Sequence, residues 1–182
     1  LTALDIGSSH GNHTKIMRDF GLKVDQIDKY EENADINDDF NSYDFKKRYD
    51  VIFCSHVIEH QRNIGHFLDK IFDTLSDDGS LVISAPKHPA ERFVEGHLQS
   101  TIMPILLQNL IFAGFDCLNG KVLSMGGIEN SFIIKKSRNF KLEERIESNY
   151  EWNTKHQNRS FVKLNDQSLI RNTSLFIKNC EA

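Results

Sequence analysis

Two hydrophobic rhythms alternate along most of this chain. Short unbroken apolar runs carry a strand pattern, and apolar residues recurring every three or four positions carry a helix pattern. Leu4-Asp5-Ile6 leads straight into the turn Gly7-Ser8-Ser9-His10-Gly11, and a helix pattern follows from Asn12 to Phe20, with Gly21 as its stop. Gly21 to Ile27 reads as a second short strand closing on Asp28, before an acidic, Asn-rich stretch that runs to Asp44. Tyr49 to Cys54 is the continuous apolar run expected of a strand covered on both faces. Ile64, Phe67, Leu68, Ile71, Phe72 and Leu75 fall on one face of a helix that must end before Asp78-Gly79. Ser80 to Ala85 is another buried strand, ended by Pro86 and Pro89, and Ile102 to Ala113 is a second apolar-faced helix closed by Gly114. Phe115 to Leu123 and Ser131 to Lys135, on either side of Met125-Gly126-Gly127, predict a hairpin.

Strands alternating with helices and then a terminal hairpin predict an α/β fold. Its sheet should be mostly parallel, with one antiparallel strand near an edge. The expected domain spans residues 1–137. Residues 138–182 are polar apart from Phe161-Val162 and Leu175-Phe176-Ile177, and read as a docked tail or cap. Composition narrows the class only a little further. Of 182 residues, 39% are hydrophobic and 26% charged, which excludes general disorder. A net charge of −4 excludes a surface that is wholly a nucleic-acid footprint. No apolar run approaches the ~20 residues of a bilayer span. Cys54, Cys117 and Cys180 are scattered without a C-x-x-C pair, so reduced thiols and a cytoplasmic setting are expected. The opening LTALDIGSSHG has neither a signal-peptide nor a transit-peptide pattern.

The turn after the first strand is where an open α/β sheet binds its ligand, and glycines there let backbone approach closely. Residues 7–11 lack the Gly-Lys-Ser/Thr of a phosphate loop, and Ser9 breaks G-x-G-x-x-G. The segment does resemble motif I of the class I S-adenosylmethionine (SAM)-dependent methyltransferases, acidic-x-Gly-x-Gly-x-Gly, with Asp5, Gly7 and Gly11 matching and Ser9 in place of the middle glycine. The order of later segments supports it: Asp28 after the second strand, the pair Asp35-Ile36, then Tyr49-Asp50-Val51-Ile52-Phe53-Cys54-Ser55-His56-Val57-Ile58-Glu59-His60. That run is similar to the fourth-strand motif of the small-molecule branch. Asp78 to Ser84 resembles the segment entering the fifth strand, and Ala113-Gly114-Phe115 the step into the sixth. The resemblance covers residues 2–136. It implies a doubly wound, Rossmann-like sheet of seven strands. Such domains usually place a helix before their first strand, so a truncation, an omitted segment or a partner subunit is expected to account for the start at Leu1.

The resemblance also implies roles. Asp28, with Lys29 beside it, accepts from the ribose hydroxyls of SAM. Asp35 accepts from the adenine amino group while Ile36 packs on the ring. Asp5 orients the turn formed by Gly7, Ser8, Ser9 and Gly11 and the amino-acid end of the cofactor. Cys54 and Ser55 contact the methionine part, with no nucleophilic role for Cys54, because methyl transfer is direct. An oxygen acceptor must lose a proton, which a base or a metal assists. His56, His60 and His97 are the catalytic candidates, and with Glu59 they are also the candidate metal ligands. Relatives carrying Glu-x-x-Glu-His at this location use a divalent metal. Here His56 replaces the first Glu, and the reading favours SAM alone over SAM with a metal. The expected activity is O-methylation of a small molecule, such as a sugar or glycan precursor, with no nucleic-acid partner. The alternatives are a non-catalytic SAM-binding scaffold, prompted by Ser9, and an RNA methyltransferase with local basic patches at Lys46-Lys47-Arg48 and Lys135-Lys136 with Arg138.

Overall fold

A computed structural model describes residues 1–87, 89, 92–99, 101–125 and 127–138. The tail read at 138–182 therefore lies, apart from Arg138, outside the described residues. The elements run β1 (Thr2–Ile6), α1 (Asn12–Asp19), β2 (Lys23–Ile27), β3 (Tyr49–Ser55), a single 3₁₀ turn (Ile58–His60), α2 (Ile64–Thr74), β4 (Leu75–Pro86), α3 (Met103–Phe112), β5 (Phe115–Met125) and β6 (Glu129–Lys136). They form one sheet in the order β2-β1-β3-β4-β6-β5. Strands β2, β1, β3 and β4 are parallel, and β6 runs antiparallel to both of its neighbours.

The sheet has six strands among the described residues, one fewer than expected. Between β2 and β3 only a single bridge forms, Ile27 to Ile36. Asp and Asn dominate that stretch, and they favour turns over a pleated ladder. Strand β4 begins earlier than its apolar run because Tyr49 pairs with Leu75, after which the register shifts before Val51 meets Ser80.

Alternation along the strands sorts the core. Leu4, Ile6, Ile52, Cys54, Leu81, Ile83, Phe132 and Ile134 are buried in one cluster with Phe67, Leu68 and Ile71 of α2 and Leu107 and Leu110 of α3. The other face carries α1, whose Thr14 hydroxyl reaches Asp5. Strand order reverses around β1, which opens a crevice beyond the carboxyl ends of β1 and β3, where such sheets bind ligands. No helix among the described residues is long and apolar enough to cross a membrane.

Candidate active site

The turn after β1 needs left-handed backbone in three places: Gly7 at φ +68, Ser9 at +46 and Gly11 at +73. Ser9 thus adopts the conformation a glycine would favour, so its replacement of the middle glycine leaves the turn intact. A Cβ on Gly7 would lie 2.4 Å from Val57 Cγ2, and one on Gly11 would lie 2.7 Å from Gln26 Oε1. The turn is therefore pressed against the segment that follows β3. Gly7→Ala combines this clash with an unfavourable φ, and is expected to cost about 1–3 kcal/mol of stability. Thermal unfolding checks it, and an unchanged melting temperature would contradict the packing described.

Between the two segments lies a cavity of about 650 Å³, whose wall includes Gly7, Asp28, Lys29, Phe40, His56 and His60. The half-buried Asp28 carboxylate organises its rim by accepting from the amides of Ser9 at 2.9 Å, Tyr30 at 2.8 Å and Glu31 at 3.1 Å. Lys29 Nζ is 3.1 Å from Asp39 Oδ2.

Asp5 lies beneath the turn, 2% exposed, and accepts from Thr14 Oγ1 at 2.6 Å. Burial lifts its carboxyl above the usual aspartate range, and the Thr14 bond offsets only part of that. Because the folded value is raised, the stability Asp5 contributes is full below the unfolded value and is lost as pH rises through the folded one. Asp5→Asn keeps an acceptor for Thr14 and removes this loss. The melting temperature of wild type is therefore expected to fall relative to Asp5→Asn as pH climbs through the carboxylate range. A difference that does not change with pH would refute this.

Four of the expected cofactor contacts are placed elsewhere. Asp35 does not line the cavity: its Oδ2 accepts from Arg18 Nη2 at 2.6 Å and from the Gln26 amide at 3.0 Å, toward α1. Its neighbour Ile36 is likewise absent from the cavity wall and packs against the core beside Ile27. Cys54 points into the core on the α2–α3 face with no exposure, and burial drives its thiol far above the ordinary value. Ser55 lies on the opposite face, where its hydroxyl pairs with that of Ser84 at 2.9 Å, and it does not line the cavity. Ser8 is buried, and its hydroxyl has no hydrogen-bond partner.

The histidines divide into two groups. His56 is left-handed, at φ +54, and its amide donates to the Ser84 carbonyl at 3.1 Å. Its Nε2 lies 2.8 Å from Glu129 Oε2, and the other oxygen of Glu129 accepts from Ser131 Oγ at 2.9 Å. The His56 bond is the chief reason that the Glu129 carboxyl sits below the usual range. As a carboxylate it can only accept, so Nε2 donates, and in the neutral ring the lone pair of His56 resides on Nδ1. That atom is 3.6 Å from Oε1 of Glu59, which is 1% exposed. His60 Nδ1 is 2.8 Å from the Gly96 carbonyl, and its Nε2 is 3.8 Å from the same Glu59 oxygen. His97 stacks edge-on against His60 with ring centres 4.9 Å apart. Ligand atoms of Glu59, His60 and His97 lie within 4.8 Å of one another; His56, the fourth expected ligand, is outside this group and turned toward Glu129.

Glu129 was not legible in the sequence. Its only signal is an acid opening an apolar strand directly after a glycine turn. Asp38, Asp39 and Asn41, which also line the cavity, were hidden in the acidic stretch.

The sequence matches the model of a methyltransferase-domain family over residues 2–162, most of the chain. The chain belongs to that family. No curated protein sequence matches it. Among solved structures, Burkholderia thailandensis 1,6-didemethyltoxoflavin-N1-methyltransferase, with 1,6-didemethyltoxoflavin and S-adenosylhomocysteine bound, is 18% identical with a TM-score of 0.62, covering 75% of this chain and 70% of that one. A SAM-dependent methyltransferase from Archaeoglobus fulgidus is 17% identical with a TM-score of 0.61, over 74% and 86% of the two chains. Another from Clostridium acetobutylicum is 10% identical with a TM-score of 0.60, over 75% and 84%. At these identities the likeness establishes the fold, that of a class I SAM-dependent methyltransferase, in agreement with the resemblance read from motif I.

S-adenosylmethionine, the cofactor that the motif I resemblance implies, suits the cavity on two counts. Gly7, in left-handed backbone, brings the turn to the cavity wall without a side chain. A carboxylate, Asp28, ends β2 on the cavity wall.

Proposed function

We propose that this methyltransferase transfers the methyl group of SAM to a hydroxyl of a small-molecule acceptor, with sugars and glycan precursors as the class to test first. The observation that carries this reading is His56 on the cavity wall, held from outside it by Glu129. An oxygen acceptor must shed a proton, and here an imidazole is held with its basic nitrogen defined by a carboxylate partner. SAM, when bound, supplies a methyl already activated on a positive sulfur. Asp28 binds the ribose diol, and Gly7, in the turn it shares with Ser8, Ser9 and Gly11, meets the cofactor on the cavity wall. Helix α1 begins at Gly11 without a side-chain cap, and the amides before Thr14, whose own amide Asp5 engages, can meet the carboxylate of the cofactor. Asp5 holds α1 in place from beneath, through Thr14. Asp38, exposed on the cavity wall, takes over the adenine role that the sequence had assigned to Asp35. His56 Nδ1 receives the acceptor proton as the oxygen–methyl bond forms. His60 bounds the acceptor side, with His97 stacked behind it.

The charge distribution favours a small neutral acceptor over RNA. Lys46, Lys47 and Arg48 lie beside Asp44, Asp25 and Asp77, and Lys136 and Arg138 beside Asp77 and Asp78, which offsets positive charge in both basic patches. A cytoplasmic setting belongs to the same proposal. The thiols of Cys54 and Cys117 are both buried and free, and burial pushes that of Cys117 up to about 12.

Mass spectrometry of reactions with SAM tests the assignment, using hydroxylated sugars, matched amines and short RNAs in parallel. A one-methyl mass gain on the hydroxyl compounds is expected. Methylation confined to amines would overturn the oxygen assignment, and methylated RNA alone would overturn the small-molecule one.

A further inference from the structure

The sheet is covered unequally. On one side α2 and α3 bury Phe132 and Ile134 of β6 together with the rest of the core. On the other side, among the described residues, α1 lies over β1 and β2 and meets β3 through His13, whose ring centre is 4.8 Å from that of Phe53. Directly paired residues share a face, so Phe53, Val82, Ile133 and Lys121 form one row across β3, β4, β6 and β5 on this second side. Leu123 and Met125 continue it along β5, opposite Ser131 and Glu129. An antiparallel sheet that faces water carries polar side chains at its outward positions. Here Ile133 is 48% exposed, Leu123 58% and Met125 39%, and Val82 and Phe53 are half-buried. Contiguous apolar surface of this kind marks a contact with another segment or molecule.

The chain itself supplies an occupant. Strand β6 runs antiparallel to β4 and delivers the chain to the amino end of that strand, where the Ser137 amide donates to the Gly114 carbonyl at 2.8 Å. The methyltransferase-domain match continues past this point to residue 162. In that stretch Leu142, Ile146 and Tyr150 recur every four positions, the spacing of a single apolar stripe on a helix. Such a stripe is ~12 Å long at a rise of ~1.5 Å per residue. The patch from Ile133 to Glu129 measures ~13 Å along β6. Charge agrees as well. Glu143, Glu144, Glu147 and Glu151 outnumber Lys141 and Arg145 around the stripe. On the sheet, exposed Lys121 and Lys135 flank the patch, and the carboxylate of Asp116, opposite Lys135, is turned to Asn119.

We propose that residues 139–151 dock in cis on the outer face of β4, β6 and β5, with Leu142, Ile146 and Tyr150 against Ile133, Leu123 and Val82. This gives the docked tail expected from the sequence a seat. It backs the strand that carries Glu129, the partner of His56, and does not depend on the nature of the methyl acceptor.

Leu123→Cys and Ile146→Cys, combined in a full chain carrying Cys180→Ser, test the docking by oxidation, non-reducing electrophoresis and peptide mass spectrometry. A disulfide within one chain is expected. Phe20→Cys, at an 82% exposed position just past α1, replaces Leu123→Cys in the control and should give several-fold less. A disulfide between two chains, in protein that elutes as a dimer, would assign the face to a second copy and overturn the proposal. Equal yields from the two pairs, or no disulfide in either, would overturn it too. Thermal unfolding gives an independent measure. Ile133→Thr, which keeps the β-branch, and Ile146→Asp should each lower Tm by ~3 °C or more, whereas substitutions at truly exposed positions move it little. The double variant should fall no further than the worse single one, because either change already undocks the segment. Strictly additive losses, or an unchanged Tm in Ile133→Thr, would contradict the docking. If Ile146→Asp fails to fold, the cysteine pair decides.

Discussion

Asp28→Ala is expected to weaken SAM binding by ~10²-fold or more, the largest effect on affinity of any single substitution in the cavity. Two losses combine. The ribose diol loses a charged acceptor, and a charge-assisted hydrogen bond is worth about 1.5–3 kcal/mol, or roughly 10–150-fold in affinity. The rim also loses its organiser, since the same carboxylate gathers the amides of Ser9, Tyr30 and Glu31. Without it the turn after β1 and the segment after β2 keep only the exposed His10–Glu31 side-chain contact between them. Calorimetric titration with S-adenosylhomocysteine measures the loss. A folded Asp28→Ala chain of unchanged affinity would show that the cofactor does not lie against the end of β2.

Legibility in the sequence followed the strength of periodicity. Apolar runs at Tyr49–Cys54 and Ser80–Ala85, and the helical spacing of Ile64 to Leu75, located β3, the core of β4 and α2 because each is fixed by burial along its whole length. The turn after β1 was legible for a different reason. Left-handed backbone and close approach restrict its residue types, so Gly7 and Gly11 carry information individually. The stretch between β2 and β3 had neither constraint. With no ladder to set a register, an Asp-Ile pair looked like the adenine contact, while the chain turned Asp35 to Arg18 and brought Asp38 and Asp39 to the cavity. Alternation would have corrected Cys54, which shares its parity with Ile52 and so faces the core. Glu129 was beyond such reasoning. It reaches His56 across 73 positions through an antiparallel pairing that brings Pro86 opposite Glu129, and no local pattern encodes that contact.

That long-range contact underlies the second large effect. His56→Gly is expected to lower kcat by ~10²–10⁴-fold, the usual worth of a positioned base, with KM for SAM unchanged. Glycine is the informative replacement because His56 sits at φ +54. A left-handed conformation costs a residue with a Cβ roughly 1–2 kcal/mol, which glycine does not pay. The variant also gives up the 2.8 Å bond to Glu129, a charge-assisted contact of comparable size. The two changes oppose each other, so the melting temperature should stay near that of wild type while turnover collapses. Strain tolerated at a residue whose removal leaves the fold intact is the signature of a position kept for chemistry. The space vacated beside Glu129 also admits a free imidazole, and millimolar imidazole should restore part of the lost rate in His56→Gly but not in a Glu129→Ala, His56→Gly double variant. Full activity in His56→Gly would remove His56 as the base. Collapse of both stability and activity, without rescue, would reduce it to a structural link between β3 and β6.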